Sequence, residues 1–100
     1  MSEVIDNPAE HRFELSIDES AIAASYYRFA DEQIVLTHTI VPEQFEGQGV
    51  GSRLARGVFD SIRASGRTVV LQCPFMAAYY QRHPEYSDIV YGANRSGGIT

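Results

Sequence analysis

The sequence has one cysteine and no tryptophan in 100 residues. A lone cysteine excludes an internal disulfide, and with three scattered histidines it gives no ligand spacing for zinc, so no metal is expected. No apolar run approaches the roughly 18 residues that a membrane span needs. Positive charge is also scarce, with 8 basic against 13 acidic residues and a net charge of −5. A nucleic-acid partner would want a basic face, so none is expected. If the charge selects a substrate at all, it favours a cationic one. The first residues, MSEVIDNPAEHR, are acidic and polar, unlike a signal or transit peptide, and a cytoplasmic location is the expectation.

What is present suffices for one domain over residues 1–100. A chain of this length buries roughly two thirds of its unfolded surface, and its 44% hydrophobic content is ordinary for a globular protein. Residues 1–10 show no period and contain Asn7-Pro8, so a loose end is expected there. From Arg12 to Asp18 the pattern RFELSID alternates strictly, as a half-buried strand does. Turns at Asp18-Glu19-Ser20 and Asp31-Glu32 bound a second strand, and residues 33–41 (QIVLTHTIV) form a third, giving an antiparallel meander. After Pro42 the period changes. Val50, Leu54, Val58 and Ile62 recur every four residues, widened by Ala55 and Phe59, and Gly66 closes the helix. Residues 68–72 (TVVLQ) read as a short strand covered on both faces. Pro74 opens a second helix over 75–82, which ends before Pro84. Residues 88–91 suggest a last strand and 92–100 a loose tail. The fold class is α+β, in the order β-β-β-α-β-α-β, with a mostly antiparallel mixed sheet and two helices.

The strand-to-helix passage at 44–52, QFEGQGVGS, has the layout of an anion site. Glycine lets backbone approach a ligand closely and accepts positive φ. The first helical N–H groups have no intrahelical partner, and the helix dipole adds partial positive charge there. A phosphate answers both deficits. Gly51 is followed by Ser52-Arg53, so the Lys-Ser/Thr ending of a Walker loop is missing. The dinucleotide fingerprint fails as well, for want of a glycine at 52 and of an initial βαβ unit. A plain tight turn remains the alternative.

Two stretches, HTIVPEQFEGQGVGSRLARGVFD (residues 38–60) and VVLQCPFMAAYYQRHPEY (residues 69–86), resemble the GNAT acetyltransferase superfamily, specifically its very short, stand-alone YjdJ-type branch. The superfamily's Arg/Gln-x-x-Gly-x-Gly/Ala loop falls on Glu46-Gly47-Gln48-Gly49-Val50-Gly51, with Glu46 departing at the first position. The resemblance implies acetyl-CoA as donor, an amine as acceptor, and a minimal GNAT fold. It implies that pyrophosphate binds at Glu46, Gly47, Gln48, Gly49, Val50, Gly51, Ser52 and Arg53. It also implies that the pantetheine arm lies along Thr39, Ile40 and Val41, in a gap opposite residues 70–72. The two helices that full-length members insert between their first two strands are replaced here by the Asp18-Glu19-Ser20 turn. An open acceptor groove is the consequence, suited to lysine or another protein-borne amine, in a monomer or weak homodimer.

Within that frame, His38 is the expected base for the attacking ammonium, although its strand face with Ile34, Leu36 and Ile40 also suits a core histidine. Cys73 is a possible acyl acceptor, or a small core residue. Tyr79 or Tyr80 is the candidate acid for the departing CoA thiolate. Arg53 and Arg56 could reach CoA phosphates. Direct attack is preferred over a Cys73 acyl-enzyme. The rival readings are a CoA-binding or acyl-CoA-sensing module without efficient turnover, and a structural domain with no ligand.

Overall fold

Period-two alternation builds the first half of the chain and a four-residue period the second. The computed structural model describes residues 4–92. In chain order the elements are β1 (Val4–Asn7), β2 (Arg12–Asp18), β3 (Ala21–Ala30), β4 (Gln33–Ile40), α1 (Val50–Ser65), β5 (Thr68–Leu71) and α2 (Pro74–Arg82). The strands form one sheet in the order β1-β2-β3-β4-β5. The first four pair antiparallel, and β5 joins β4 in parallel after the α1 crossover.

The core lies on one face of this sheet. Phe13, Leu15, Ala23, Tyr27, Leu36 and Val69 pack there against Leu54, Val58 and Phe59 of α1 and Met76 of α2. Each such fully buried large side chain contributes roughly 1.5–3 kcal/mol. All six apolar positions expected for α1 are buried, and Gly66 ends the helix at φ 78° with its N–H on the Arg63 carbonyl. No described helix covers the other sheet face. There Ile5 is 57% exposed and Ile40 50% exposed. No described helix is long and apolar enough to cross a membrane.

Three expectations need correction. Residues 4–7, expected to be loose, form β1, because contacts far along the chain hold them. Val4 seats over Gly57 of α1, Asn7 donates to Glu14 at 2.9 Å, and Tyr27 donates to Asp6 at 2.6 Å. Residues 88–91 are no strand. They touch β5 through a single parallel bridge, in which Val69 N donates to Ile89 O and Tyr91 N to Val69 O, both at 2.8 Å. The order is therefore β-β-β-β-α-β-α. Strand β5 is not covered on both faces either, since only Val69 is fully buried. The expected loose tail lies outside the described residues from 93 onward.

The register of β4 positions everything that follows. Tyr27 faces Leu36 and its neighbour Tyr26 faces His38, so Thr37 is an extra residue on β4. A bulge of this kind reverses the parity of the strand beyond it. Leu36 therefore points to the helices, His38 points away from them, and Thr39 points back.

Candidate functional site

Pairing of β4 with β5 runs from Gln33–Thr68 to Leu36–Leu71, and the last bond goes from Gln72 N to Leu36 O at 3.1 Å. Beyond it Pro74 redirects the chain into α2, while the bulged β4 continues. The two strands part, and a gap opens at Thr39. The Thr39 hydroxyl donates to Ser25 Oγ at 3.3 Å and lies 3.2 Å from Cys73 Sγ. With the Thr39 proton committed to Ser25, Cys73 is the donor in the second bond. Ser25, the buried polar residue of the sheet, and Cys73, 1% exposed, thus form a short hydrogen-bonded row under the gap.

From Thr39 a cavity of about 330 Å³ extends along Val41, Phe45, Glu46, Gly47, Gly51 and Phe75. Its far end is the glycine loop. Gly47 and Gly49 have φ of 84° and 81°, which a side chain adopts only with strain, and a Cβ at either would meet open space. Gly49 is the N-cap of α1 and offers no side chain to cap it. The first intrahelical bond is that from Arg53 N to Gly49 O at 3.1 Å, so helix geometry leaves the amides of Val50, Gly51 and Ser52 without intrahelical acceptors. A Cβ on Gly51 would fall 2.5 Å from Phe75 Cζ. Glycine is needed there to let the Phe75 ring close the cavity over the helix start.

Thr39, Val41, Glu46, Gly47 and Gly51 therefore meet around one cavity. Val50 is buried, so only its backbone can face a ligand. The Gln48 side chain turns back to donate to Gln44 O at 3.2 Å. Gly49, Ser52 and Arg53 are exposed at the loop and first turn. Ile40 points to the bare sheet face and does not line the cavity. Sequence reasoning did not single out Phe45, Phe75 or Ser25. The aromatic in Cys73-Pro74-Phe75, beside a helix start, was the available signal for Phe75.

His38 does not share the face of Ile34 and Leu36, because the Thr37 bulge turns it to the opposite side. It is exposed on the bare face, beside the gap, and stacks on Tyr26 with centroids 4.5 Å apart and planes 8° from parallel. Tyr26 is fixed in turn by Arg12, which donates to its hydroxyl at 2.8 Å and to Glu14 at 2.6 Å. Asn7 donates to the same Glu14 carboxylate, and these two bonds, Asn7 first, hold it below the usual carboxylate range. A polar row thus crosses four strands and ends on the imidazole.

Neither tyrosine of α2 lines the cavity at Thr39. Tyr79 lies between Phe59 and His83, with centroids at 5.7 and 4.1 Å, and faces a different cavity. Tyr80 is half-buried against the core.

The family model of GCN5-related N-acetyl-transferases matches residues 12–89. The chain is also similar to the NMR solution structure of a Staphylococcus aureus protein described as GCN5-like and, provisionally, as an N-acetyltransferase. That protein is 30% identical, with a TM-score of 0.67 over 88% of this chain and 86% of the other. No curated protein matches.

Proposed function

The chain belongs to the GCN5-related N-acetyltransferase family, and from that premise we propose that it binds acetyl-CoA and passes the acetyl group to a primary amine. One observation carries this reading: a single cavity joins the glycine loop at Gly47 and Gly51 to Thr39, where β4 and β5 part. The amides of Val50, Gly51 and Ser52 hold the pyrophosphate, and the pantetheine arm follows Val41 to Thr39 between the walls of Phe45 and Phe75. Glu46 brings negative charge to the rim, so binding leans on backbone amides.

The acceptor enters from the sheet face that no described helix covers. His38 borders the gap on that side and takes the ammonium proton. A lysine amine has a reference pKa near 10.4, so this step must precede attack. The C–N bond forms, the C–S bond breaks, and the second proton of the amine nitrogen, lost as the amide forms, passes to the departing CoA thiolate beside Thr39. Openness of this face suits a protein-borne amine, such as a lysine side chain.

The same bare face favours a second reading, a domain that binds acyl-CoA without efficient turnover. Titrating CoA while following the amide resonances of residues 47–52 tests what the two readings share. Saturable shifts at the loop, at Thr39 and along the cavity walls at Val41, Phe45 and Phe75 are expected. No shift at millimolar CoA would remove both. Turnover with amine and peptide panels then separates them.

A further inference from the structure

The bulge on β4 does more than turn His38 to the bare face. Its extra residue, Thr37, carries a hydroxyl that touches two neighbours, Tyr26 O at 3.2 Å and His38 Nδ1 at 3.3 Å. A hydroxyl has one proton and two lone pairs. A backbone carbonyl can only accept, so the proton goes to Tyr26 O. The hydroxyl then meets His38 with a lone pair, and both contacts are satisfied only when Nδ1 carries a hydrogen. In a neutral imidazole one ring nitrogen donates and the other accepts. With the hydrogen on Nδ1, the accepting lone pair is on Nε2, which has no hydrogen-bond partner among the described residues.

The stack on Tyr26 completes the arrangement. Centroids 4.5 Å apart and planes 8° from parallel fix the plane of the imidazole. Arg12 holds the Tyr26 hydroxyl at 2.8 Å, so the supporting ring is itself fixed. A plane alone still leaves two states, because a half-turn about the Cβ–Cγ bond exchanges Nδ1 with Cδ2. Only one of them presents a donor to Thr37. One hydroxyl therefore selects both the ring flip and the tautomer.

We propose that Thr37 is a positioning residue that fixes His38 as its Nδ1–H tautomer and so makes Nε2 the base. A histidine side chain in water favours the hydrogen on Nε2. That leaves the lone pair on Nδ1, close to its own backbone and hard for an acceptor to reach. Thr37 reverses the preference and puts the lone pair at the tip of the ring. When Nε2 takes a proton from the acceptor ammonium, the amine becomes neutral and the ring becomes an imidazolium. Nδ1–H still donates to Thr37, now from a charged ring, and the bond strengthens. Thr37 thus supports the base before and after proton transfer without touching the acceptor. The tautomer follows from the hydrogen bonds alone; its catalytic meaning rests on the reading of His38 as base given above.

Long-range proton–nitrogen correlation spectra of the full chain, taken where the ring is neutral, read the tautomer directly. His38 should be Nδ1–H in the wild type and in Thr37→Ser. It should become mainly Nε2–H in Thr37→Val, which keeps the branched shape and strand preference without the hydroxyl. His11 should not change. In turnover of acetyl-CoA with an amine, Thr37→Val should lower kcat about tenfold, leave KM for acetyl-CoA unchanged, and be rescued by Thr37→Ser. An Nε2–H tautomer in the wild type would overturn the proposal without any variant. So would a tautomer that Thr37→Val leaves unchanged, or one that changes with no loss of turnover while His38→Gln does lose it. Failure of the His38 reading looks different: the tautomer moves with Thr37, yet neither His38→Gln nor Thr37→Val affects turnover. That result supports the tautomer assignment and removes His38 from the chemistry.

Discussion

Thr39 Oγ1 and Cys73 Sγ lie 3.2 Å apart at the mouth of the gap between β4 and β5. The contact places the thiol near the thioester in the proposed complex, yet it also engages the thiol as a donor. A nucleophile needs thiolate character, and the Cys73 side chain makes no capping bond at the start of α2. Direct transfer is therefore expected. Cys73→Ala should keep activity within a few-fold while lowering stability by about 1 kcal/mol in urea titrations, from the small void. The chain contains no lysine, so intact-mass spectra after incubation with acetyl-CoA are simple to read. Rapidly formed acetyl label on Cys73, with activity lost in the alanine variant, would establish the covalent route instead.

The loop glycines should rank by backbone and space. Gly49→Val places a branched side chain at φ 81° on the helix N-cap, a conformation that costs roughly 1–2 kcal/mol. It also crowds the amides meant for pyrophosphate. Gly51→Ala drives a Cβ into Phe75 and should open the cavity wall. Calorimetry should show about tenfold or greater loss of CoA affinity for both, while Glu46→Gln leaves it unchanged or improved. The reverse order would refute binding by backbone amides.

His38 should matter for the chemical step and little for CoA. Its ring is on the bare face, held by the stack on Tyr26, and it lines no part of the CoA cavity. His38→Gln should lower kcat by roughly 10²-fold or more with CoA affinity intact. Equal loss of CoA binding would place the residue in cofactor recognition instead.

How much of this the sequence disclosed depends on the range of the cause. Helix α1 was legible because Val50, Leu54, Val58 and Ile62 repeat its period locally. The loop was legible because glycines before a helix start signal unpaired amides. The Thr37 bulge was not, since it is a mismatch in residue count between two strands, which neither strand shows alone. Its consequence was a His38 assigned to the wrong face. Strand β1 was hidden for a similar reason. Four residues carry no usable period, and what holds them, Gly57 and Tyr27, lies far along the chain.

Three buried tyrosines should set the alkaline limit of stability. Burial, then donation to Asp6, holds Tyr27 well above the usual tyrosine range. Burial and donation to Asp60 push Tyr86 up to about 12, and burial raises Tyr79. Unfolded tyrosines lose their protons near pH 10. Between that pH and the raised folded values the native state holds more protons, so stability falls as pH rises. The contribution is complete below about pH 10 and lost above it, with no lysine to blur the limb. Urea midpoints should be level to about pH 9.5 and then drop steeply, with a gentler drop in Tyr86→Phe. A level profile through pH 11 would mean these hydroxyls are not buried in solution.

Gly57 gives the sharpest test of β1. A helix-interior glycine is roughly 1 kcal/mol less favourable than alanine, so Gly57→Ala on an open surface would stabilise α1. Here the added Cβ meets both Cβ and Cγ2 of Val4, and the neighbour is a strand held by only four residue pairs. The single variant should therefore lower stability and expose the amides of residues 4–7 to hydrogen exchange. Val4→Ala alone should also destabilise, by removing apolar contact from the same spot. Combined, the methyl added at residue 57 takes up part of the space that the two lost Val4 methyls leave, and the helix gain is recovered. The double variant should be more stable than the sum of the singles predicts, by about 1 kcal/mol of coupling. Strict additivity in that cycle would show that Val4 and Gly57 do not touch, and that β1 is held by its hydrogen bonds alone.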